Sequence, residues 1–177
     1  IVAIEPKTGE ILALVSSPTY EPASLVGRDR SKNYLNLLND PLKPLMNRAT
    51  LAQYSPGSTF KVLQTLVCLE DEGINKHTLF PCSGQASVPI RCTHAHGSPV
   101  NIYEAIEQSC NPYFWLSFKR TLEKKQNDKD YHTSLKINYD TWRKGVMNFG
   151  FGQKFNNDIR EQAKGNVPTA EYYDKVF

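Results

Sequence analysis

No stretch of this chain approaches the run of about eighteen apolar residues that a membrane-spanning helix needs, and no charged, apolar, small-residue leader opens it. A large charge of one sign is also missing. The 21 Lys and Arg exceed the 18 Asp and Glu by only three, far short of the basic stripe that a phosphate-neutralising protein displays, so nucleic acid is not expected as a partner. There is no internal repeat and no low-complexity tract. Cysteine is sparse, at four residues, a count that neither requires nor excludes an oxidising compartment. The chain also lacks a starting Met, since Ile1-Val2-Ala3-Ile4 begins in mid-strand, and it stops at Tyr172-Tyr173-Asp174-Lys175-Val176-Phe177 without a polar tail. Both ends read as cuts. A length of 177 residues still suits one domain with a sizeable core.

Two β-rich runs, Ile1 to Glu5 and Glu10 to Ser16, flank Pro6-Lys7-Thr8-Gly9 and predict an opening hairpin over residues 1–17. Residues 18–54, punctuated by Pro18, Pro22, Gly27, Pro41 and Pro44, form a connector with one weak helical patch near Tyr34 to Leu38. Ser55 as cap and Pro56 in the first turn then start an apolar helix over 55–73, ending near Gly73. Residues 77–100 carry Pro81, Gly84, Pro89, Gly97 and Pro99 without a sustained period and are expected to be loop. Asn101 caps a helical pattern from Ile102 to Glu107, Ser109-Cys110-Asn111 interrupts it, and Pro112 restarts it, giving two helical pieces over 101–123. Lys124 to Asp130 is a charged loop. The C-terminal part, 139–177, opens with an amphipathic helix from Tyr139 to Phe149 that Gly150-Phe151-Gly152 stops.

Ser58 and Lys61 lie three apart and share one helix face, which sets an ammonium stem beside a hydroxyl. A serine oxygen is a poor nucleophile until a base takes its proton, and lysine serves only if burial favours its neutral form. The apolar surroundings Phe60, Val62, Leu63 and Leu66 supply that burial, and the helix start favours negative charge on the oxygen. S-x-x-K is common by chance. Its place behind a Pro-Gly entry, at the head of a core-like helix, sets this match apart. Ser109-Cys110-Asn111 adds a hydroxyl and an amide at a helix break held by Ile106, Phe114 and Trp115, whereas Ser31-Lys32-Asn33 is expected to be only a solvated loop.

Together these residues resemble the serine acyltransferases whose set is S-x-x-K, S-x-N and K-T-G. The opening Val2 to Val15, then Asn47-Arg48-Ala49, Tyr54 to Lys61, Gly150-Phe151-Gly152 and Asn166-Val167-Pro168-Thr169 look like class B penicillin-binding protein transpeptidase domains, and His96-Gly97 with Ala105-Ile106 and Ser109-Cys110-Asn111 most like the elongation-type members. The resemblance implies an α/β (α+β) β-lactamase-like fold, an antiparallel sheet with a helical lobe, with residues 1–177 forming part of one domain. It implies a D-Ala-D-Ala transpeptidase in which Ser58 is the nucleophile, Lys61 its activator, Ser109 a proton relay and Asn111 a holder of the donor peptide. No cofactor is required for acyl transfer. Stem peptides, β-lactams and proteins of the cell-wall elongation complex are the implied partners, at the periplasmic face of the inner membrane, with an N-terminal anchor outside this chain. Lys7-Thr8-Gly9 is a decoy, because it precedes the nucleophile and sits in a hairpin turn. The chain ends before a true K-T-G strand, so by itself it is expected to be inactive. A β-lactamase or β-lactam sensor on the same fold, and a non-catalytic binding module in which Ser58 only caps a helix, stand as alternatives.

Cys82, Cys92, His94, His96 and Cys110 crowd a segment with little else to hold it. Burial as small apolar groups, a Cys82–Cys92 disulfide and a zinc site remain open, burial being the natural reading for Cys68. Soft thiolates with imidazole suit tetrahedral zinc, which would be bound by Cys82, Cys92, His96 and Cys110 with His94 as substitute, although the spacing fits no standard finger. The resemblance implies that some elongation-type relatives carry ligand-type residues at these positions. His77 and His132 are expected to be exposed.

Overall fold

A computed structural model describes residues 1–127 and 129–176. The backbone groups into two compact units, one of residues 1–54 and 154–164, the other of residues 55–153 and 165–177.

In the first unit, β1 (Val2–Ile4) and β2 (Ile11–Leu14) pair antiparallel, with Ala3 opposite Ala13. Gly9, at φ 77°, supplies the left-handed turn residue, and its N–H bonds Glu5 O at 2.8 Å. Lys7-Thr8-Gly9 is therefore turn, with Thr8 occupied by Glu10. Helix α1 (Arg30–Asn39) is longer than the patch read from sequence and buries no residue. It takes in Ser31-Lys32-Asn33, which is helical rather than loop, because Asn33 Nδ2 finds Ser24 O at 2.8 Å. The single turn α2 (Arg48–Leu51) is capped by Asn47, whose side chain accepts from Ala49 N at 3.1 Å.

The second unit is helical. Ser58 lies in a 3-10 turn, Gly57–Thr59, that leads into α3 (Phe60–Glu70). Ser55 does not cap this start. Thr59 Oγ1 instead donates to Pro56 O at 2.5 Å, since Gly57 at φ 58° turns the chain before a regular N-cap can form. Residues 77–100 hold one 3-10 turn, Gly84–Ala86, and an antiparallel bridge between Phe80 and Val100. Asn101 and Glu104 form a reciprocal capping box on α4 (Ile102–Glu107), and α5 (Asn111–Leu122) follows with Pro112 in its first turn.

Helix α6 (Tyr131–Asn148) starts eight residues before the expected Tyr139 and is capped by Asp130. Its first turns turn Ser134 and Asn138 inward, so no apolar period marks them. Asn138 Nδ2 donates to Leu122 O and Lys124 O, both at 2.7 Å, and so closes the end of α5. Helix α7 (Ala170–Val176) completes the unit. The core joins Leu63, Val67 and Cys68 of α3 to Tyr113 and Phe114 of α5 and Trp142 and Val146 of α6, with Phe60 and Phe118 edge-on or tilted against Trp142 at 6.2 and 4.8 Å. Among the described residues no helix is long and apolar enough to cross a membrane.

Candidate active site and thiol cluster

Lys61 is the second residue of α3, half-buried, one turn beyond the exposed Ser58. Its ammonium donates to Ser109 O at 2.7 Å, Ser109 Oγ at 2.8 Å and Asn111 Oδ1 at 2.6 Å, which uses all three of its N–H groups. Ser109 Oγ then donates to Ser58 Oγ at 3.1 Å. A continuous hydrogen-bonded path thus runs from Ser58 through Ser109 to Lys61, and the second hydroxyl bridges the first to the amine. Burial holds the Lys61 ammonium below the ordinary lysine range, opposed by the sulfurs of Cys110 and Cys92. The same cation stands 5.5 Å over the Phe114 ring.

The aim of Ser109 comes from the backbone. Its φ is 50°, the left-handed region in which glycine is usual. Helix α4 ends by giving Cys110 N–H to Ala105 O at 2.9 Å and Ser109 N–H to Ile106 O at 3.1 Å. This is the Schellman pair, with Ser109 at the position after the C-cap. A serine there carries about 1–2 kcal/mol of left-handed strain, and its hydroxyl is thereby thrown toward Ser58 and Lys61.

Asn111 opens α5 with its amide fixed at both ends, Oδ1 on Lys61 and Nδ2 on Arg91 O at 3.1 Å. Two contributors had escaped the sequence reading. Arg91 acts through a backbone carbonyl, which has no residue signature. Gln64, whose Nε2 ties α3 to Phe114 O of α5 at 3.0 Å, was detectable as a polar side chain one turn past Lys61 on the same face.

Cys82, Cys92, His96 and Cys110 converge, with their ligand atoms all within 4.8 Å of one another. His96 Nε2 lies 3.5 Å from Cys82 Sγ and 3.3 Å from Cys92 Sγ, while Nδ1 meets Gly97 O at 2.8 Å. That carbonyl orients the ring so that Nε2 faces the sulfurs, the usual support of a metal-binding imidazole. Burial pushes the Cys92 thiol up, but bonds from His94 N–H, His96, Asn111 N–H and Cys82 outweigh it and bring it to about 7. Burial and the neighbouring Cys82 hold Cys110 up at about 12. Three sulfurs and one nitrogen at these separations fit a tetrahedral thiophilic ion. His94 does not substitute in this group, being exposed and turned to Thr93 Oγ1 at 3.1 Å. All four cysteines are free, so the Cys82–Cys92 disulfide is not formed, and Cys68 is a buried core residue. His77 and His132 are exposed.

The model of the penicillin binding protein transpeptidase domain matches residues 1–176. The peptidoglycan D,D-transpeptidase MrdA of Escherichia coli strain K12 is 31% identical over 184 residues, an alignment covering 100% of this chain and 26% of that protein. The chain therefore spans about a quarter of the length of the curated relatives it matches. Among solved structures, the complex between penicillin-binding protein 2 and MreC from Helicobacter pylori aligns with a TM-score of 0.76 at 28% identity, covering 98% of this chain and 30% of that one. An imipenem acyl-enzyme complex of penicillin-binding protein A from Mycobacterium tuberculosis aligns with a TM-score of 0.67 at 28% identity, covering 92% and 36%.

Proposed function

We propose that this chain, which belongs to the penicillin-binding protein transpeptidase domain family, carries the nucleophile and proton-transfer residues of a peptidoglycan D,D-transpeptidase. The observation that supports this most is the hydrogen-bonded path from Ser58 through Ser109 to Lys61. Ser58 Oγ attacks the penultimate D-Ala carbonyl of a stem peptide while Lys61 is in its neutral form, and the Ser58 proton passes through Ser109 to that amine, which becomes ammonium. Ser109 returns a proton to the departing amine of the terminal D-Ala. The acyl group then passes to the amine of a neighbouring stem. Asn111, with Oδ1 on Lys61 and one N–H on Arg91 O, keeps its second N–H for the donor peptide. Acylation of this kind uses no cofactor. β-Lactams take the same path and stop at the ester, in keeping with the acyl-enzyme complex of the mycobacterial relative.

Cys82, Cys92, His96 and Cys110, whose ligand atoms lie within 4.8 Å of one another, would hold a structural zinc ion and so pin residues 82–100 to the turn at Ser109 to Asn111. The ion would supply four fixed points to a loop in which Val88 and Ile90 are exposed and bury little. Metal analysis should give about one zinc per chain, with anomalous density about 2.3 Å from each sulfur. The partners of the whole protein are stem peptides, β-lactams and elongation-complex proteins of the MreC kind. Its working place is the periplasmic face of the inner membrane, where cross-linkable peptidoglycan lies.

A fluorescent penicillin applied to the full-length protein tests the reading. Ser58→Ala should abolish covalent labelling while shifting stability by no more than about 0.5 kcal/mol, because the lost hydroxyl is exposed. Labelling that survives would reassign the nucleophile. An ester that hydrolyses within a catalytic turnover would favour the β-lactamase alternative.

A further inference from the structure

Helix α3 meets α5 through two polar ties set one turn apart on both helices. Lys61 reaches Asn111 Oδ1 at 2.6 Å, and one turn further along each helix Gln64 Nε2 donates to Phe114 O at 3.0 Å. The two ties differ in kind. Lys61 spans its gap with a long flexible stem, so its hydrogen bonds hold the ammonium without holding the backbone beneath it. The Gln64 side chain is shorter, half-buried, and bound to a main-chain atom inside α5. One lone pair of that carbonyl belongs to the helix ladder, and the amide takes the other. Around this tie the contact is apolar, with Leu63 and Val67 of α3 in one core with Tyr113 and Phe114 of α5. Apolar burial has no preferred direction, whereas a hydrogen bond is gone by about 3.6 Å. The Gln64 amide therefore resists a slide of one helix along the other that the apolar contacts would permit.

The two ties meet at Phe114, whose carbonyl takes Gln64 and whose ring lies 5.5 Å from the Lys61 ammonium. Asn111 is the first residue of α5 and Ser109 stands two residues before it, so both move with that helix. Ser58 and Lys61 move with α3. Every hydrogen bond of the path from Ser58 through Ser109 to Lys61 thus crosses between the two helices.

We infer that Gln64 is a positioning residue for acyl transfer: its amide sets the register of α3 on the first turns of α5, and with it the reach of Ser58 and Lys61 to Ser109 and Asn111. Gln64 has no contact with Ser58, Ser109 or Asn111 among the recorded hydrogen bonds and acts through Lys61 and the helix that carries it. A slide along α5 lengthens the bonds of 2.7, 2.8 and 2.6 Å that hold the ammonium and the 3.1 Å bond that joins the two hydroxyls. Misplacement by about 1 Å in such a path slows a reaction by up to about a hundredfold.

This inference rests on the transpeptidase reading for the role of Lys61 as proton acceptor. The test uses full-length protein and a penicillin varied to saturation, which separates the limiting acylation rate from the half-saturating concentration. Gln64→Met keeps the length and helix preference of glutamine and removes the donor. Its limiting rate should fall about tenfold at an unchanged half-saturating concentration, and its crystal structure should show Lys61 Nζ out of hydrogen-bond reach of Ser109 Oγ or Asn111 Oδ1. Val67→Ala removes packing from the same helix contact and leaves the amide alone, so it should lower the thermal midpoint more than Gln64→Met does while keeping the limiting rate within about twofold. The inference is overturned if Gln64→Met acylates at the parent rate, if the half-saturating concentration moves in place of the rate, or if Val67→Ala slows acylation equally. Parent protein that takes no penicillin at Ser58 would instead sink the transpeptidase reading, and the Lys61 distances in the Gln64→Met structure would still decide the register role.

Discussion

Helices α3 and α4 end in the same way for opposite reasons. Each closes with a Schellman pair, Gly73 N–H on Cys68 O and Glu72 N–H on Leu69 O in α3, Cys110 N–H on Ala105 O and Ser109 N–H on Ile106 O in α4. Each puts a residue with a Cβ in the left-handed region, Glu72 at φ 53° and Ser109 at φ 50°. Glu72 is exposed, and among the described residues its carboxylate has no hydrogen bond or ion pair; nothing in the structure explains a glutamate there. Ser109 spends its strain on two hydrogen bonds into the site. Equal backbone geometry therefore has different meaning, and the side chain's contacts decide which.

Replacing each residue by glycine should split the two ends most sharply. Ser109→Gly should slow penicillin acylation of the full-length protein by about a thousandfold, the scale of a lost proton-transfer group. The same variant should keep or raise the unfolding free energy, by up to about 1 kcal/mol, because relief of left-handed strain exceeds glycine's extra chain entropy. A parallel loss of stability and activity would show that Ser109 is structural and would break the comparison.

The next effect lies at the end of α3. Gly73 is not in the left-handed region, yet a Cβ there would stand 2.1 Å from Thr121 Oγ1 and 3.2 Å from Thr121 Cα. Gly73→Ala should cost about 1–3 kcal/mol in urea unfolding, the range for overpacking, with acylation per folded molecule unchanged. Adding Thr121→Ala should recover part of the loss. Glu72→Gly should raise stability by up to about 1 kcal/mol and leave labelling untouched, which sharpens the contrast with Ser109.

The smallest effect concerns a helix start. Thr133 side chain and N–H hold the Asp130 carboxyl below the ordinary aspartate range. A folded-state pKa below the unfolded one means that the cap contributes above the unfolded pKa and is lost as pH falls through the folded one. Thermal scans across the acid range should therefore lose part of their pH dependence in Asp130→Asn. An unchanged profile would remove the cap from the account.

Much of the site was legible early, and the reason is local. Ser58 and Lys61 are three residues apart, in a 3-10 turn that runs directly into α3, so the local backbone brings them to one face without help from the rest of the chain. Asn101 and Glu104 announce the start of α4, and Pro112 the restart at α5, because caps and proline act within a few residues. The first half of α6 was not legible, since its inward positions are Ser134 and Asn138, polar groups that only a neighbouring helix end could satisfy. Ser55 misled for the converse reason, as a good capping residue left unused by the turn at Gly57.

The sequence by itself determined the family, the pairing of the candidate nucleophile Ser58 with the Lys61 amine, and the thiol-rich composition of residues 82–110, because residue types and short spacings carry those. Tertiary structure alone decided that Ser109, rather than direct contact, links Ser58 to Lys61, and that Arg91 O orients Asn111. It also selected His96 over His94 for the thiol cluster. These relations span from four to fifty-one positions along the chain. They depend on where α3, α4 and α5 pack and on backbone groups that every residue possesses, so no pattern of side chains could have announced them.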